Sequence, residues 1–263
     1  MGLYWLEAAR GRLGQLIHQV ERWLAPVQQC CLVCGKARNG SVRANRLPLC
    51  SSCYEAIPWI HQVQCLRCGR GEVCPDCRRE RETFFSQSRS AVRYDERMKE
   101  WLALYKYRGM ETLAEVLGPM LMHAYHLHRT QPMASEQGVA QEFITYVPLS
   151  SIRYGERGFN QAEQMAVVLG RLTRVPVVPL LVRTRHTEKQ SFKGRYERMA
   201  DMRGIFAVDM RGVEQIRRLL KQPDPIRVYV IDDVYTTGST LNECANVLRA
   251  LPGVEVRGIT WAR

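Results

Sequence analysis

Near the end of the chain, an unbroken apolar run is followed by a helical pattern of apolar positions. Val228 to Ile231 form a short β-branched and aromatic run, which is typical of a parallel strand covered on both faces. From Leu241 to Leu251 the apolar residues recur every three or four positions, which predicts an amphipathic helix that ends at Pro252. The polar loop between them reads Asp232-Asp233-Val234-Tyr235-Thr236-Thr237-Gly238-Ser239-Thr240. The pattern therefore predicts a strand-loop-helix unit.

The spacing of apolar residues, which changes between strand-like runs and helical periodicity, predicts the other elements in the same way. Further strands are expected at 143–148, 177–183, 205–208 and 254–261. Helices are expected at 1–28, 97–127 with a break near Gly109, 158–172 and 213–220, and residues 149–157 are expected to form a loop. Strands that alternate with helices favour an α/β fold, a mainly parallel sheet flanked by helices. For the basic helix 1–28 we favour packing on its own protein, because Glu7 and Glu21 lie among its bases; a membrane or a partner is the alternative.

Eight cysteines form four Cys-x-x-Cys pairs: Cys31/Cys34, Cys50/Cys53, Cys65/Cys68 and Cys74/Cys77. Two such pairs supply the four thiolates of a structural zinc site, so we expect two zinc ions. The first pair lies close to the second in the chain, and the third lies close to the fourth, so we favour one zinc ion shared by the first two pairs and another shared by the last two. An interleaved arrangement, in which the first pair shares an ion with the third, remains open. The chain is accordingly divided into a helix at 1–29, a small zinc-ribbon domain at 30–83 and an α/β domain at 84–263.

Composition and charge narrow the class of protein. The chain has 263 residues, is 46% apolar and carries a formal net charge of +12. Two zinc ions on eight thiolates would leave roughly +8, so anionic partners are favoured: nucleic acid or phosphorylated small molecules. The sequence contains no run of eighteen apolar residues, so we expect no membrane span, and we do not expect the first residues to form a secretion signal. A cytoplasmic protein is expected, in which the cysteines bind metal rather than form disulfides.

The polar loop after the strand has the chemistry of a sugar phosphate site. Loops at the carboxyl ends of strands bind ligands in α/β sheets, and a helix start attracts anions. Hydroxyl side chains add donors and Gly238 lets the main chain approach a phosphate, whereas Asp232 and Asp233 suit ligand hydroxyls. The loop resembles the PRPP (5-phosphoribosyl 1-pyrophosphate) loop of type I phosphoribosyltransferases, which implies that the acids hold the ribose hydroxyls and residues 234–240 the 5′-phosphate. The alternative is a strand ending in two solvated acids before an ordinary helix cap.

Basic residues in three other segments suit a pyrophosphate group. Lys106 belongs to Lys106-Tyr107-Arg108-Gly109 at the predicted helix break, where a phosphate contact and a solvated turn are both open. Ser150, Arg153 and Arg157 lie in the loop after the strand at 143–148. Residues 183–203 form a polar stretch with seven bases, which is either disordered or a lid. We expect its arginines, Arg185, Arg195 and Arg198 among them, to reach the leaving group.

Taken together, these motifs resemble the ComF/GntX family (competence protein F). The shared marks are the cysteine pairs, Lys106-Tyr107-x-Gly109, Val147-Pro148 leading to Arg157-Gly158-Phe159-Asn160-Gln161, Gln190 with Glu197-Arg198, and the polar loop. They span nearly the whole chain after residue 30. The resemblance implies a type I phosphoribosyltransferase core with an N-terminal double zinc ribbon.

The same resemblance implies a function. PRPP or a related ribose phosphate would bind with Mg²⁺, and a pentosyl transfer would proceed through an oxocarbenium-like state supported by Asp232 and Asp233 as catalytic residues. A rival hypothesis is a non-catalytic factor that binds single-stranded DNA in natural transformation and meets proteins of the DNA-uptake machinery. A third is a zinc-stapled scaffold with a vestigial transferase site. The acceptor substrate is not indicated by any residue.

Overall fold

The structure, a computed structural model, describes residues 30–38, 47–78, 82–107, 110–130, 141–184, 204–220 and 225–263. It divides into two compact units, Met1–Tyr54 and Glu55–Arg263. The predicted N-terminal helix lies outside the described residues, as do Arg108, Gly109 and the stretch from 185 to 203. The site residues Arg185, Arg195 and Arg198 fall in that last stretch.

The described residues form six strands and eight helices. The strands are β1 (Gln87–Val92), β2 (Gln141–Tyr146), β3 (Leu181–Arg183), β4 (Phe206–Val208), β5 (Ile226–Val234) and β6 (Val254–Ala262). The helices are α1 (Ser51–Glu55), α2 (Pro75–Arg78), α3 (Glu96–Tyr107), α4 (Ala114–Thr130), α5 (Ser151–Arg157), α6 (Gln161–Thr173), α7 (Met210–Leu219) and α8 (Ser239–Leu248). A single 3₁₀ turn, Glu111–Leu113, precedes α4.

Four parallel strands in the order β1-β6-β5-β2 make the central sheet. Because β5 has a partner on each side, its residues Val228 to Ile231 are fully buried, as the unbroken apolar run predicts. Helices cover both faces. On β6, Trp261 donates its indole N–H to Met120 of α4, whereas Gly258 on the opposite face packs against Leu241 of α8. The predicted α/β fold with a mainly parallel, helix-flanked sheet is confirmed.

Three elements differ from the sequence prediction. The polar strand β1 was not predicted, because Gln87 to Ser90 show no apolar pattern although all four are buried. The predicted loop at 149–157 is wrong, since it contains α5, which Ser150 caps and Gly158 ends with φ 79°. The predicted strand 177–183 is short: Val177 bridges to β2, and after Pro179 only β3 remains, paired antiparallel with β4 in a separate two-stranded sheet.

Residues 57–69 pack directly on the sheet. Ile60 N–H donates to the carbonyl of Ala91 at 3.0 Å, and Ser88 N–H donates to the carbonyl of Arg67 at 2.8 Å. Gly69 approaches so closely that an added Cβ would lie 2.4 Å from the Ser88 carbonyl oxygen. The second group of cysteines therefore belongs to the unit that contains the sheet, and the division at residue 54 does not coincide with the predicted boundary near residue 84.

Candidate functional site

The eight paired cysteines gather into two tetrathiolate clusters, grouped in the sequential order favoured by their spacing. Within each cluster the sulfur atoms lie within 4.8 Å of one another: Cys31, Cys34, Cys50 and Cys53 in one, and Cys65, Cys68, Cys74 and Cys77 in the other. Four convergent cysteine sulfurs are the donor set of structural zinc, so each cluster could hold one ion.

Local backbone geometry prepares both clusters. Gly35 and Gly69 adopt φ of 72° and 76°, and each donates its N–H at 2.9 Å to the carbonyl of the first cysteine of its pair. In the first cluster the Ser52 hydroxyl, 3.3 Å from Cys50 Sγ, lowers the pKa of that thiol to about 6, which favours the thiolate that zinc binds. In the second cluster, Cys68 and Cys74 are buried in the same apolar core as Leu241 of α8.

A polar cavity of about 360 Å³ lies at the carboxyl ends of β2 and β5. Eight of the predicted site residues line it: Lys106, Arg153, Arg157, Asp232, Asp233, Val234, Thr236 and Thr240. For Lys106, the sequence had left a phosphate contact and a solvated turn both open. The cavity is also lined by Tyr94, Val147, Pro148, Leu149, Asn160, Gln161, Ala162 and Arg183. The structure thus brings acids, bases and threonines from separate segments into one site.

The two acids at the end of β5 have different partners. Asp233 forms an ion pair with the ammonium group of Lys106 from α3. Asp232 is half-buried and accepts a hydrogen bond from Asp233 N–H at 2.9 Å. Burial and the neighbouring charge of Asp233 raise the pKa of Asp232 to about 7, although Lys106 and Arg153 oppose that shift. Asp232 consequently exchanges a proton near neutral pH, whereas Asp233 has its own counter-ion.

The turn between β5 and α8 provides hydroxyl groups and a helix start. Thr236 and Thr240 line the cavity, and the hydroxyls of Thr237 and Ser239 lie 2.6 Å apart. Gly238 caps α8 with φ 78°, and a Cβ added to it would lie 2.2 Å from the hydroxyl oxygen of Tyr235. Only glycine fits this position without strain. Four residues of the predicted phosphate-binding turn are not among the residues that line the cavity: Tyr235, Thr237, Gly238 and Ser239.

The basic wall of the cavity rests on the short helix α5. Its Arg157 donates to Gln161 Oε1 at 2.8 Å and stacks over the ring of Tyr107, with 5.1 Å between the guanidinium carbon and the ring centroid. The Nε atom of Arg157 is buried and has no hydrogen-bond partner among the described residues. Ser150 does not line the cavity; its hydroxyl accepts from Arg153 N–H at 3.4 Å and so fixes the start of α5.

The residues that flank 185–203 are anchored beside the cavity. Arg183 of β3 lines it, and Thr184 N–H donates to the carbonyl of Ile205 at 2.8 Å. The buried carboxylate of Glu243 in α8 accepts the N–H of Gly204 at 2.6 Å. Gly204 is therefore held against α8, and Arg183 lies at the cavity.

Sequence reasoning missed several residues of the site. Tyr94 follows the unpredicted strand β1, and no motif marks it. Asn160 and Gln161 stand in the Arg157 to Gln161 motif, and that motif is the signal that could have identified them. Asn160 caps α6 through Ala162 N–H at 3.0 Å and donates to the carbonyl of Val147, so it joins two segments that line the cavity.

Comparison with known proteins places the chain among competence proteins. It is 31% identical over 234 residues to competence protein ComFC of Bacillus subtilis, which covers 83% of this chain and 88% of that protein. It is 26% identical over 245 residues to ComFC of Streptococcus pneumoniae (89% and 99% covered) and 28% identical over 235 residues to competence protein F of Haemophilus influenzae (86% and 92% covered). No protein-family model matches the chain. In the described part of the chain, none of the helices has the length and apolar character needed to cross a membrane.

Proposed function

Because the chain belongs to the ComF family of competence proteins, we propose that it serves natural competence, the uptake of DNA, as a protein that binds PRPP or a related ribose phosphate. The supporting observation is the single cavity that joins two carboxylates, a hydroxyl-rich turn before a helix and two arginines of α5. A ribose 5-phosphate presents hydroxyls at one end and an anion at the other, which matches this separation of acids from donors.

Each group of the cavity has an assignable part in binding. Asp232 and Asp233 accept hydrogen bonds from the ribose hydroxyls. The main-chain N–H groups at the start of α8, with Thr236 and Thr240, bind the 5′-phosphate. Arg153, Arg157 and Arg183 face the remaining charge of a pyrophosphate.

The same groups support a pentosyl transfer. The bond from ribose C1 to pyrophosphate breaks with its electron pair on the leaving oxygen, and an acceptor then forms the new bond to C1. The ionised form of Asp232 stabilises the positive charge that develops on the ribose, and the arginines stabilise the departing anion. Mg²⁺ bound to the pyrophosphate oxygens would neutralise further charge, and carboxylates at the cavity are ligands suited to it.

Binding and transfer are tested separately. Calorimetric titration of PRPP with Mg²⁺ should show binding that Asp232→Asn and Asp233→Asn each weaken by about tenfold or more. Glu214→Gln is the control, because this exposed acid of α7 pairs with Arg218 and does not line the cavity. Unchanged affinity in both aspartate variants would remove the site assignment. Release of pyrophosphate with a panel of bases and nucleotides as acceptors tests transfer.

A second candidate is a non-catalytic protein that binds single-stranded DNA. The observation that favours it is the pair of Arg157 and Tyr107, the latter 60% exposed, together with Tyr154, which lies on the same helix as Arg157 and is 53% exposed. Exposed aromatic rings beside a base can stack nucleobases in a sequence-tolerant way. Affinity for an oligonucleotide should then fall steeply with salt and drop in Tyr154→Ala, whereas an affinity indifferent to both would exclude this candidate.

A further inference from the structure

Two helix starts border the cavity at the ends of β2 and β5. The start of α8 is one of them, through Thr240, and the start of α6 is the other, through Asn160, Gln161 and Ala162. Asn160 holds this second start in place, because its side chain accepts the Ala162 N–H at 3.0 Å and donates to the Val147 carbonyl at 3.1 Å. Since helix starts present backbone N–H groups to anions, the cavity offers an anion two places rather than one.

The side-chain amide of Gln161, a residue that is 1% exposed, has two ends in different situations. Arg157 Nη1 donates to Gln161 Oε1 at 2.8 Å. Because a guanidinium group can only donate, this contact fixes which end of the amide is oxygen and which is nitrogen. The nitrogen, Nε2, is buried and has no hydrogen-bond partner among the described residues. A buried donor without an acceptor is unfavourable, so Nε2 is suited to an oxygen atom of a ligand.

The groups around this amide favour an oxygen that carries negative charge. The two terminal nitrogens of Arg157 donate to Gln161 and, at 3.3 Å, to the hydroxyl of Tyr107, and both of these acceptors are neutral. The buried Nε of Arg157 has no acceptor in the part of the chain that the structure describes. Four bases and two acids line the cavity, and one of the acids, Asp233, is paired with Lys106. An anionic oxygen forms stronger hydrogen bonds with such N–H groups than a neutral oxygen does.

We propose that Gln161 binds the pyrophosphate group of the ligand through Nε2, and that it thereby selects a sugar with two anionic groups over a sugar with one. This inference rests on the proposed function, which assigns the 5′-phosphate to the start of α8 and the pyrophosphate to arginines. The start of α6 is a second place for an anion in the same cavity. PRPP has a group for each place, whereas ribose 5-phosphate has a group for only one of them.

The test compares three ligands: inorganic pyrophosphate, PRPP and ribose 5-phosphate are each titrated calorimetrically into the full-length protein in one Mg²⁺ buffer. Gln161→Glu keeps an oxygen for Arg157 but replaces the N–H donors with a negative charge. We expect it to weaken pyrophosphate and PRPP by about tenfold or more and ribose 5-phosphate by less than about threefold. Gln161→Met removes the donor without adding charge and should weaken the same two ligands several-fold. Gln215→Glu, at an exposed position of α7, is the matched control for the added charge and should bind all three ligands as the parent does.

The outcomes separate this inference from the proposed function. If the Gln161 variants bind pyrophosphate and PRPP as the parent does, the inference is overturned and the proposed function stands. An equal loss of all three ligands also overturns it, because Gln161 would then support the cavity as a whole. If the parent binds pyrophosphate but neither sugar phosphate, the proposed function fails, and a loss of pyrophosphate binding in Gln161→Glu still supports the contact with Nε2. If the parent binds none of the three, both fail. Urea unfolding checks that each variant is folded, and Gln161→Met decides the result if Gln161→Glu is not.

Discussion

The guanidinium group of Arg263 lies 4.2 Å above the centroid of the Tyr235 ring. Arg263 also donates to the carbonyl of Cys68, and the hydroxyl of Tyr235 lies directly behind Gly238. The second cysteine cluster is thus connected, through one stacked pair, to the turn that we assign to the 5′-phosphate. A zinc ion bound to that cluster would fix the Cys68 backbone, and we expect this to stabilise the turn.

Loss of metal from the second cluster should weaken ribose phosphate binding. In Cys77→Ser one thiolate of this cluster is missing, so zinc should fall from two ions to one per chain and the affinity for ribose 5-phosphate should fall several-fold. Cys53→Ser removes zinc from the first cluster and controls for metal loss as such. Metal analysis and calorimetry measure the two effects. Fewer than one ion per chain in the reduced parent would contradict the zinc assignment itself.

Replacement of Arg263 should act on the same turn without removing metal. Arg263→Met deletes both the stack on Tyr235 and the hydrogen bond to Cys68, so ribose 5-phosphate affinity should fall several-fold at an unchanged zinc content. Arg263→Lys keeps a cation over the ring and should recover part of the affinity. Equal affinities in all three proteins would show that the stack does not position the turn.

Gly238→Ala should be more harmful than an alanine at another left-handed glycine. Gly238 and Gly253 have φ of 78° and 71°, but a Cβ at Gly253 meets nothing within 4 Å, whereas at Gly238 it meets Tyr235. We expect about 1–2 kcal/mol of destabilisation for the backbone strain in either variant. The free energy of unfolding, measured with denaturant, should fall further in Gly238→Ala than in Gly253→Ala. Calorimetry should show that Gly238→Ala also weakens ribose phosphate binding. Comparable losses at the two positions would mean that Tyr235 moves aside without cost.

Protonation of Asp232 should make stability depend on pH near neutrality. Burial, followed by the charge of Asp233, raises the pKa of Asp232 to about 7 in the folded chain, so the folded state holds a proton that the unfolded state releases at lower pH. Ionisation therefore costs stability as pH rises from about 4 to 7. Asp232→Asn should gain stability over the parent at pH 8 and lose that gain at pH 4, as measured by urea unfolding.

Asp209→Asn provides the opposite sign in the same experiment. The hydrogen bond from Arg211 lowers the pKa of Asp209, so its contribution is present at neutral pH and is lost as pH falls through that lowered pKa. This variant should be less stable than the parent at pH 8. If the two aspartate variants differed from the parent in the same direction at each pH, the change of stability with pH near neutrality could not be assigned to Asp232.

Lys106 should set the pH at which the site becomes competent to bind. Its ammonium group pairs with Asp233 and lowers the pKa of Asp232. In Lys106→Met the ionised form of Asp232 is therefore less favoured, and the pH profile of ribose 5-phosphate affinity should move to higher pH. Lys99→Met, which removes an exposed partner of Glu96, is the control and should leave the profile in place.

The sequence predicted the features that are formed by neighbouring residues better than those that depend on contacts between distant segments. The strand, acids, turn and helix from Val228 to Leu248 are contiguous, and each step has a compositional signal, so this part of the site was predictable. The strand β1 was not, because its polar residues are buried by contacts with a distant segment, as when Arg89 donates to the carbonyl of Leu66 at 2.7 Å. Tyr94 and Arg263 were missed for the same reason: their positions follow from strand pairing, not from neighbouring residues.

Helix α5 illustrates a different limit. Its residues have no apolar face, and none of them is buried, so periodicity gave no reason to expect a helix. The helix depends on Ser150 and Gly158 at its two ends, which are signals of one residue each. A cap carries less information in a sequence than an apolar stripe, although here it orients Arg153 and Arg157.

The segment at 57–69 occupies the outer side of β1, where Ile60 and Arg67 take up backbone groups of an otherwise open strand. If a chelator removes metal from the second cysteine cluster, we expect this segment to loosen and to leave β1 unpaired. An unpaired outer strand can pair with strands of other molecules, so the protein should aggregate at chelator concentrations that do not unfold it globally. Purification buffers with zinc and without strong chelators should keep it monodisperse, which light scattering during titration with a chelator would measure.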